Sequence, residues 1–566
     1  MDKARVWLWD ICDNNYSHKN GTSIVDFMLE ISRYDGAIIG FRNLAFDGYY
    51  ILNFLFEQGF EFERELSGEP YRFTSLITDT GQHYFYKILF GNGSVVTIFD
   101  TFKHFHQSIS NTAKNYKLPI LKGEIDYDQY REEGHIPTDK ELEYIHNDTE
   151  IDMRALIIDM NMGLYNITQT GNCKRILKKT VRDMDIVFPE LDDAVDGFCR
   201  KAYRGGYTYL NPIYKDVDLK HMISLDINSM YPAQMLHQKI PIGEPLFGDG
   251  EYSANKVPQG YDIYIQHLFA SFRLKPNHVP TISKRTFKIS SSDLYLSDSG
   301  ENTCELYLSS PDLELFFENY YVFNVEYIDF AAFQWVQGKE ISAIDIKKLS
   351  KVDAIKKDGV GSLFYDYLVP FRITKETTEG AERDNAKRMQ NIVYGALATS
   401  SEGGLYEPLI NEKGLISYKR YVGDKRKRMY IPAAVFITAW SRYFLIKNIQ
   451  KVFDRFVYCD TDSLYLLGEE IPEGLPIHDT LYGYFKKEHT ILKARFIGSK
   501  RYIYFGKDNK TTKINKYVVC CGATDEVKKQ INFSNFHVGA EYGGKLQNKT
   551  VKGGKHLEET MYKIKE

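Results

Sequence analysis

The chain has 566 residues and a net charge of −4, with 43% apolar and 26% charged residues, 42 Tyr, 35 Phe and only 17 Pro. That balance excludes disordered, collagen-like and fibrous classes, and at roughly 100 to 200 residues per domain it calls for three to five folding units rather than one small binding module. Seven scattered cysteines without CxxC spacing argue against a disulfide framework or a cysteine zinc site. With no apolar run near the ~18 residues that cross a bilayer, and no signal-like start in MDKARVWLWD, the sequence reads as soluble and intracellular.

In chain order, residues 1 to 168 mix strand-like runs (GAIIGFRN, SVVTIFD) with helical patterns (SIVDFMLEISRY, YYILNFLFEQ, KELEYIHNDTEIDMRALIIDM), the mark of an α/β domain. TQTGNCKR reads as its exit. From about 240 to 340 the pattern becomes short β-like runs broken by Gly, Pro, Ser and Asn, and residues 385–394 then sit in a charged helical stretch. TAWSRYFLIKNIQKVF reads as a helix, and FVYCDTDSLYLL as two β runs joined by a short acidic turn. The tail from Lys500 to Glu566 holds 14 Lys and Arg against 7 Asp and Glu, so it is +7 and the rest of the chain −11. Such asymmetry suits a groove for a polyanion or a solvated basic face.

The acidic turn carries Asp460 and Asp462 where folding alone would favour Asn-Gly or Asp-Gly, and two close carboxylates call for a cation. A lone DTD also suits an exposed polar turn. A second strand end shifts that balance: KHMISLDINSMYPAQM reads as a strand ending at Asp226 in a tight turn, then Ser229, Tyr231 and a Pro that halts the strand. Asp226 and Asp462 could clamp two hard divalent cations about 4 Å apart, the arrangement that supports in-line phosphoryl transfer. EGAERDNAKRMQNIVYGAL spaces Arg383, Lys387, Asn391 and Tyr394 along one helical face, with two cations for a triphosphate, an amide for base edges and a ring for stacking. A solvated amphipathic helix explains Arg383 and Lys387 by themselves equally well.

DINSMYP, KRMQNIVYG and YCDTDS, in that order, resemble motifs A, B and C of family B DNA polymerases. YRGG (203–206) and SKRY (499–502) look like the YxGG and KxY elements of the protein-primed subfamily found in small tailed phages, and the similarity runs from about Arg5 to the C-terminus. The resemblance implies a multidomain α/β and α+β chain: an RNase H-like 3′–5′ exonuclease domain (1–168, its first strand missing) followed by a right-hand polymerase. The palm would comprise 169–237 and 432–532, a first insertion meeting terminal protein and DNA 238–362, the fingers 363–398, a second insertion for strand displacement and processivity 399–431, and the thumb 533–566.

By the same resemblance Asp226, Ile227 and Asp462 hold two Mg2+ ions, for which Mn2+ can substitute, and Asp460 supports the site. Tyr231 packs under the sugar and excludes a 2′-hydroxyl; Lys375, Arg383 and Lys387 neutralise the triphosphate; Asn391 and Tyr394 face the nascent pair. Tyr203, Arg204, Gly205 and Gly206, with Ser229, Tyr458, Lys500 and Tyr502, contact template and primer, the glycines letting backbone approach a phosphate. Three features depart from the family or stay open: Ile392 stands where Ser is common, 337–361 is longer than the usual connection, and KRKR (425–428) falls where the second insertion clamps DNA, although a solvated hairpin explains that run too.

In the first domain, FRNLAFDGYY resembles the second exonuclease motif, which implies Asp47 as a metal ligand and Asn43 and Phe46 as contacts to single-stranded primer. EYIHNDTEID resembles the third, with Tyr144 and Asp148 four apart on one helical face; Lys122 would assist, and Thr101-Phe102, where Ser-Leu is usual, would touch the strand. The first motif, an Asp-x-Glu on the opening strand, is absent, and Asp10 and Asp13, the nearest acids, align with the next strand. The expectation is a polymerase whose proofreading is weak or absent, since ligands acting as a unit fail together, with an exposed sheet edge in that domain.

These readings lead to a DNA-directed DNA polymerase replicating a viral or plasmid genome by protein-primed, strand-displacing synthesis in the cytoplasm of a bacterial host. It would take primer–template DNA and dNTPs, touch no membrane, and work as a monomer or as a heterodimer with its terminal protein. The alternatives are a reverse transcriptase, which shares paired palm aspartates, and a catalytically silent DNA-binding protein descended from a polymerase.

Overall fold

The computed structural model describes residues 3–126, 129–132, 134–284, 294–300, 303–400, 403–422 and 428–565. The chain enters as an antiparallel hairpin, β1 (Trp9–Cys12) with β2 (His18–Gly21), which pairs with no other strand among the described residues. A five-stranded sheet follows, from β3 (Ile38–Phe41), β4 (Glu61–Phe62), β5 (Arg72–Ile77), β6 (His83–Leu89) and β7 (Val95–Asp100), in the order β3-β7-β6-β5-β4. In β5 every second residue is fully buried, the period of two that a sheet covered on one face demands. β3 is an edge strand, and its Ile38 is 69% exposed. Helices Ile24–Ile31 and Gly48–Glu57 cover the sheet with Met28, Ile31, Leu52 and Leu55. Helix Asp139–Asn161 starts at a reciprocal cap, in which Thr138 accepts from the Glu141 amide and Glu141 from that of Thr138.

After β8 (Thr208–Leu210) and β9 (Asp218–Ile227) the chain leaves for a four-stranded sheet, β10 (Ile240–Asp249), β11 (Ile263–Leu274), β14 (Cys304–Ser309) and β15 (Tyr320–Val336), ordered β10-β15-β11-β14. A small pair, β12 (Ile282–Ser283) with β13 (Tyr295–Leu296), projects from it. Helices Tyr365–Thr377, Gly380–Asn391 and Val393–Leu397 lead to a hairpin, β16 (Gly404–Ile410) with β17 (Ile416–Val422). Helix Ile431–Lys451 is apolar nearly all round and is therefore buried through most of its length in the largest core cluster. It returns the chain to the sheet that β8 and β9 began. With β18 (Phe456–Asp460), β19 (Ser463–Leu467), β20 (Phe485–Gly498), β21 (Arg501–Asp508) and β22 (Ile514–Cys520) that sheet has seven antiparallel strands, ordered β22-β21-β20-β9-β19-β18-β8. A last hairpin, β23 (Glu541–Val551) with β24 (Gly554–Lys563), folds back on the first domain: Lys552 O accepts from the Ala4 amide at 2.9 Å, and Lys555 donates to Ala45 O at 2.7 Å.

Two sequence readings change, and two segments gain an element. TQTGNCKR opens a helix (Gln169–Thr180) capped by Thr168, because the Thr168 hydroxyl accepts from the Gly171 amide. Pro232 lies in the first turn of helix Met230–His237, where a missing N–H costs nothing, so it helps start a helix rather than merely halting a strand. The β-like runs of 240–340 include strands of 12 and 17 residues, whose pairing continues past register shifts at His267/Leu268 and Phe269/Ser271. The long connection 337–361 forms two short helices, Ala343–Lys348 and Lys351–Lys357. No helix among the described residues is long and apolar enough to cross a membrane.

Candidate active site

The seven-stranded sheet brings the predicted carboxylates together. Asp226 lies at the end of β9 opposite Ser463 of β19, and the Ile227 amide donates to Asp462 O at 2.8 Å. The acidic turn is tight enough to put Thr461 in the left-handed region (φ 61°), with its amide donating to Tyr207 O. Burial, then the charge of Asp226 and finally that of Asp460, pushes the Asp462 carboxyl up to about 7. Such a pair of crowded carboxylates fits a dication, which relieves the repulsion. Asp460 is engaged elsewhere: Thr208 Oγ1 donates to its Oδ1 at 2.9 Å and Lys500 Nζ lies 3.0 Å away.

Across from these acids stands a cluster of cations. Arg383 and Lys387 are exposed on helix Gly380–Asn391, and Asn391 and Tyr394 follow half-buried. Lys375 donates to Ser229 Oγ at 2.7 Å, and burial, reinforced by Lys387, Lys486 and Arg383, draws its ammonium down to about 8. Tyr231 stacks on Tyr394 with centroids 4.2 Å apart, so the first motif and the fingers-like helices share one aromatic platform. Ile392 packs against the main core, where a hydroxyl would gain nothing from burial.

Several residues expected at the nucleic acid also bond within the protein. Ser229 accepts from Lys375. Tyr458 is fully buried and its hydroxyl accepts from the Lys500 amide at 3.0 Å, while Tyr502, 7% exposed, meets Tyr465 hydroxyl to hydroxyl at 3.2 Å. These rings belong to an aromatic cluster of the sheet and position Lys500. Within YRGG the two glycines differ: an added Cβ on Gly205 would meet nothing within 4 Å, whereas Gly206 is crowded. A Cβ on Gly206 would stand 2.8 Å from Thr461 and 3.0 Å from the Tyr231 hydroxyl, so its smallness serves the acidic turn. The Arg204 and Gly205 carbonyls accept from Arg442, which is buried against Asp312 at 2.6 Å. Arg204 donates back to Tyr203 O, and burial lowers its guanidinium to about 10. Of the KRKR run, residues 425–427 lie outside the described residues; Arg428 is largely buried and pairs with Asp193.

Sequence reasoning missed three groups. Lys486 of β20 lies opposite Asp226 of β9, with Nζ 3.0 Å from Oδ2. Asp358, at the end of the 337–361 strap, pairs with Arg372 at 2.6 Å and with His237 at 2.8 Å, tying the helix that carries Tyr231 to the helix that carries Lys375. Asp159 accepts from Tyr116 and Asn385, both at 2.7 Å, and joins the first domain to helix Gly380–Asn391. Each contact joins residues of different elements, and no local periodicity announces it.

In the first domain, Asp47 sits at the N-cap position of helix Gly48–Glu57 without a side-chain capping bond, and burial, with Asp100 adding to it, raises its carboxyl to about 7. Asp100 accepts from the amides of Asn43 and Phe102, both at 2.9 Å, and so holds the two loops that present Asn43, Phe46 and exposed Phe102. Asp148 is raised by burial and held back by Lys122, 3.9 Å away, and by a hydrogen bond from Tyr144. Thr101 is fully buried and donates to Asp152 at 2.6 Å, so it braces the domain. Asp13 accepts from the amides of Asn15 and Ser17 in its own turn, and Asp10 turns toward His18 and Thr149.

The family profile for DNA polymerase type B, organellar and viral, matches residues 29–139 and 137–475. Over its whole length the chain is 34% identical to the DNA polymerase of Bacillus phage Nf and 32% identical to that of Bacillus phage phi29, covering 97% of each. It is 31% identical to the DNA polymerase of Streptococcus phage Cp-1, covering 96% of it. Phi29 DNA polymerase complexed with primer-template DNA and incoming nucleotide substrates superposes with a TM-score of 0.89 at 32% identity, over 99% of this chain and 97% of that one; the complex with single-stranded DNA does the same.

Proposed function

We propose how this chain, which belongs to the organellar and viral type B DNA polymerases, divides its work among the sites above. It is a DNA-directed DNA polymerase of the phage type. The observation that carries the reading is the juxtaposition of Asp226 and Asp462 at neighbouring strand ends, faced by Lys375, Lys387 and Arg383. The seven-stranded sheet with helix Ile431–Lys451 is the palm, 363–398 the fingers, the sheet of 238–362 and the hairpin of 399–431 the insertions, and 533–566 the thumb.

Asp226 and Asp462, with the Ile227 carbonyl, would hold two Mg2+ ions, which when bound lower the pKa of the primer 3′-hydroxyl and offset charge developing on the phosphates. Lys375, Lys387 and Arg383 bind the triphosphate. Tyr231 and Tyr394 form the platform on which sugar and nascent pair rest, and the crowding there excludes a 2′-hydroxyl. Lys500 holds Asp460 in place and reaches toward the primer end. Asp47 and Asp148 supply half of the four carboxylates that the exonuclease resemblance implies, and Asp10 and Asp13 are engaged elsewhere, so these acids do not by themselves complete a two-metal exonuclease site. Protein priming with a terminal protein, strand displacement and action in the host cytoplasm rest on the YRGG and SKRY elements and on the phage relatives.

A 5′-labelled primer on a longer template with Mg2+ tests the reading. Extension with dNTPs that disappears in Asp462→Ala, with no shortening when dNTPs are withheld, is the expected result. Shortening would overturn the exonuclease reading, no extension would favour a silent DNA-binder, and extension on an RNA template a reverse transcriptase. Transfer of a labelled nucleotide onto a hydroxyl of an added terminal protein tests the priming.

A further inference from the structure

Hairpin β1–β2 pairs with no further strand among the described residues, and an isolated two-stranded hairpin is marginal in water. Trp9 and Ile11 pack one side of it on the core of the first domain, and toward helix Asp139–Asn161 it presents a compact polar cluster. Asp10 of β1 has a side chain with no exposed surface; its Oδ2 lies 2.9 Å from His18 Nδ1 of β2 and accepts from Thr149 of the helix. Its Oδ1 is buried without a hydrogen-bond partner among the described residues, although His146 Nε2 of the helix stands 3.4 Å from it. The two imidazoles stack with centroids 4.3 Å apart, and a ligand atom from each of Asp10, His18 and His146 falls within 4.8 Å of the others. His146 Nε2 also lies 3.3 Å from Asn20 Nδ2, and a buried carboxylate oxygen that stays outside hydrogen-bond geometry with this nitrogen is costly for a hydrogen-bonded cluster alone.

We propose that Asp10, His18 and His146 form a divalent transition-metal site, best suited to Zn2+, that pins hairpin β1–β2 to helix Asp139–Asn161. Two imidazoles and one carboxylate make a borderline donor set that favours Zn2+ over Mg2+, and three protein ligands leave a fourth tetrahedral position for water. The surroundings are those of a metal-bound histidine: with His18 Nδ1 on the metal, its Nε2 faces Glu150 Oε2 at 3.5 Å, and Glu150 is itself held by Arg154 at 2.6 Å. Helical spacing produces this arrangement, since His146, Thr149 and Glu150 recur at three and four residues on one face. The site is separate from the polymerase carboxylates and does not depend on how they work.

The test uses the full chain stripped with EDTA and then given Zn2+ alone. One zinc per chain survives desalting; Asp226→Asn/Asp462→Asn keeps it, and His18→Gln and His146→Gln each lose it while retaining primer extension as proof of folding. Amide exchange across residues 9–21 slows about 100-fold at a zinc concentration 100 times Kd, because the metal binds only the closed hairpin. X-ray absorption of the zinc-loaded wild type needs no variant and shows two imidazole ligands. Zinc retained equally by the histidine variants, zinc lost with the polymerase carboxylates, or an absorption spectrum without imidazole would each overturn the proposal.

Discussion

Gly206→Ala separates two reasons for a glycine in the YRGG turn. The added Cβ would stand 2.8 Å from Thr461 Cγ2 and Oγ1 and 3.0 Å from the Tyr231 hydroxyl. Carbon contacts settle at about 3.5 to 4.0 Å, so the YRGG and acidic turns must part by about 0.7 Å. Thr461 has little freedom to yield: its φ of 61° is already left-handed, and its amide is tied to Tyr207 O at 2.8 Å. Overpacking of this kind costs about 1–3 kcal/mol, and a misplacement of about 1 Å at a reacting centre costs about 100-fold in rate. Single-turnover extension at saturating Mg2+ and dNTP should therefore fall by about 10- to 100-fold with primer–template affinity unchanged. Thr461→Gly removes the two nearest of the three clashing atoms and suits the positive φ, so the double variant should recover most of the rate, a coupling that a mutant cycle reads directly. Weakened DNA binding in Gly206→Ala, without rescue by Thr461→Gly, would show that the glycine serves a template phosphate and that the turn-to-turn argument is wrong.

Asp462, raised to about 7 from 3.8 by burial foremost, keeps a proton in the folded chain that the unfolded chain releases above about pH 4. Its contribution to metal-free stability therefore falls as pH rises from about 4 through 7. Melting in EDTA between pH 5 and 8 should show a steeper decline for wild type than for Asp462→Asn, with Mg2+ restoring wild type most above pH 7; parallel profiles would contradict the shift. Lys486→Met frees Asp226 from a competing cation, and half-maximal extension should need about two- to fivefold less Mg2+, the equivalent of about 0.5–1 kcal/mol for a partly exposed pair. Asp358→Asn leaves Arg372, 3% exposed, as an unpaired buried charge at a cost of about 3–5 kcal/mol. A lowered denaturation midpoint together with a raised KM for dNTP, through Lys375 on the same helix, is the expected signature, and an unchanged midpoint would refute it.

Local chemistry made much of this protein legible. Asp226, Asp460 and Asp462 announce themselves because two carboxylates in a tight turn are a poor choice for folding alone, and Arg383, Lys387, Asn391 and Tyr394 because helical spacing states which side chains share a face. Tyr144 and Asp148 follow the same rule, and their hydrogen bond follows from it. What spacing cannot state is which face meets which. Asp226, Ser463 and Lys486 lie side by side only because β9 pairs with β19 on one edge and β20 on the other. The burial of Tyr458 and Tyr502, the strap that joins His237, Asp358 and Arg372, and the meeting of Asp10, His18 and His146 all depend on that same assembly. Periodicity within one element is set by backbone geometry and can be read residue by residue, whereas the partner of each element is chosen by many weak burial and register terms summed over the whole chain, and so only the tertiary structure decides it.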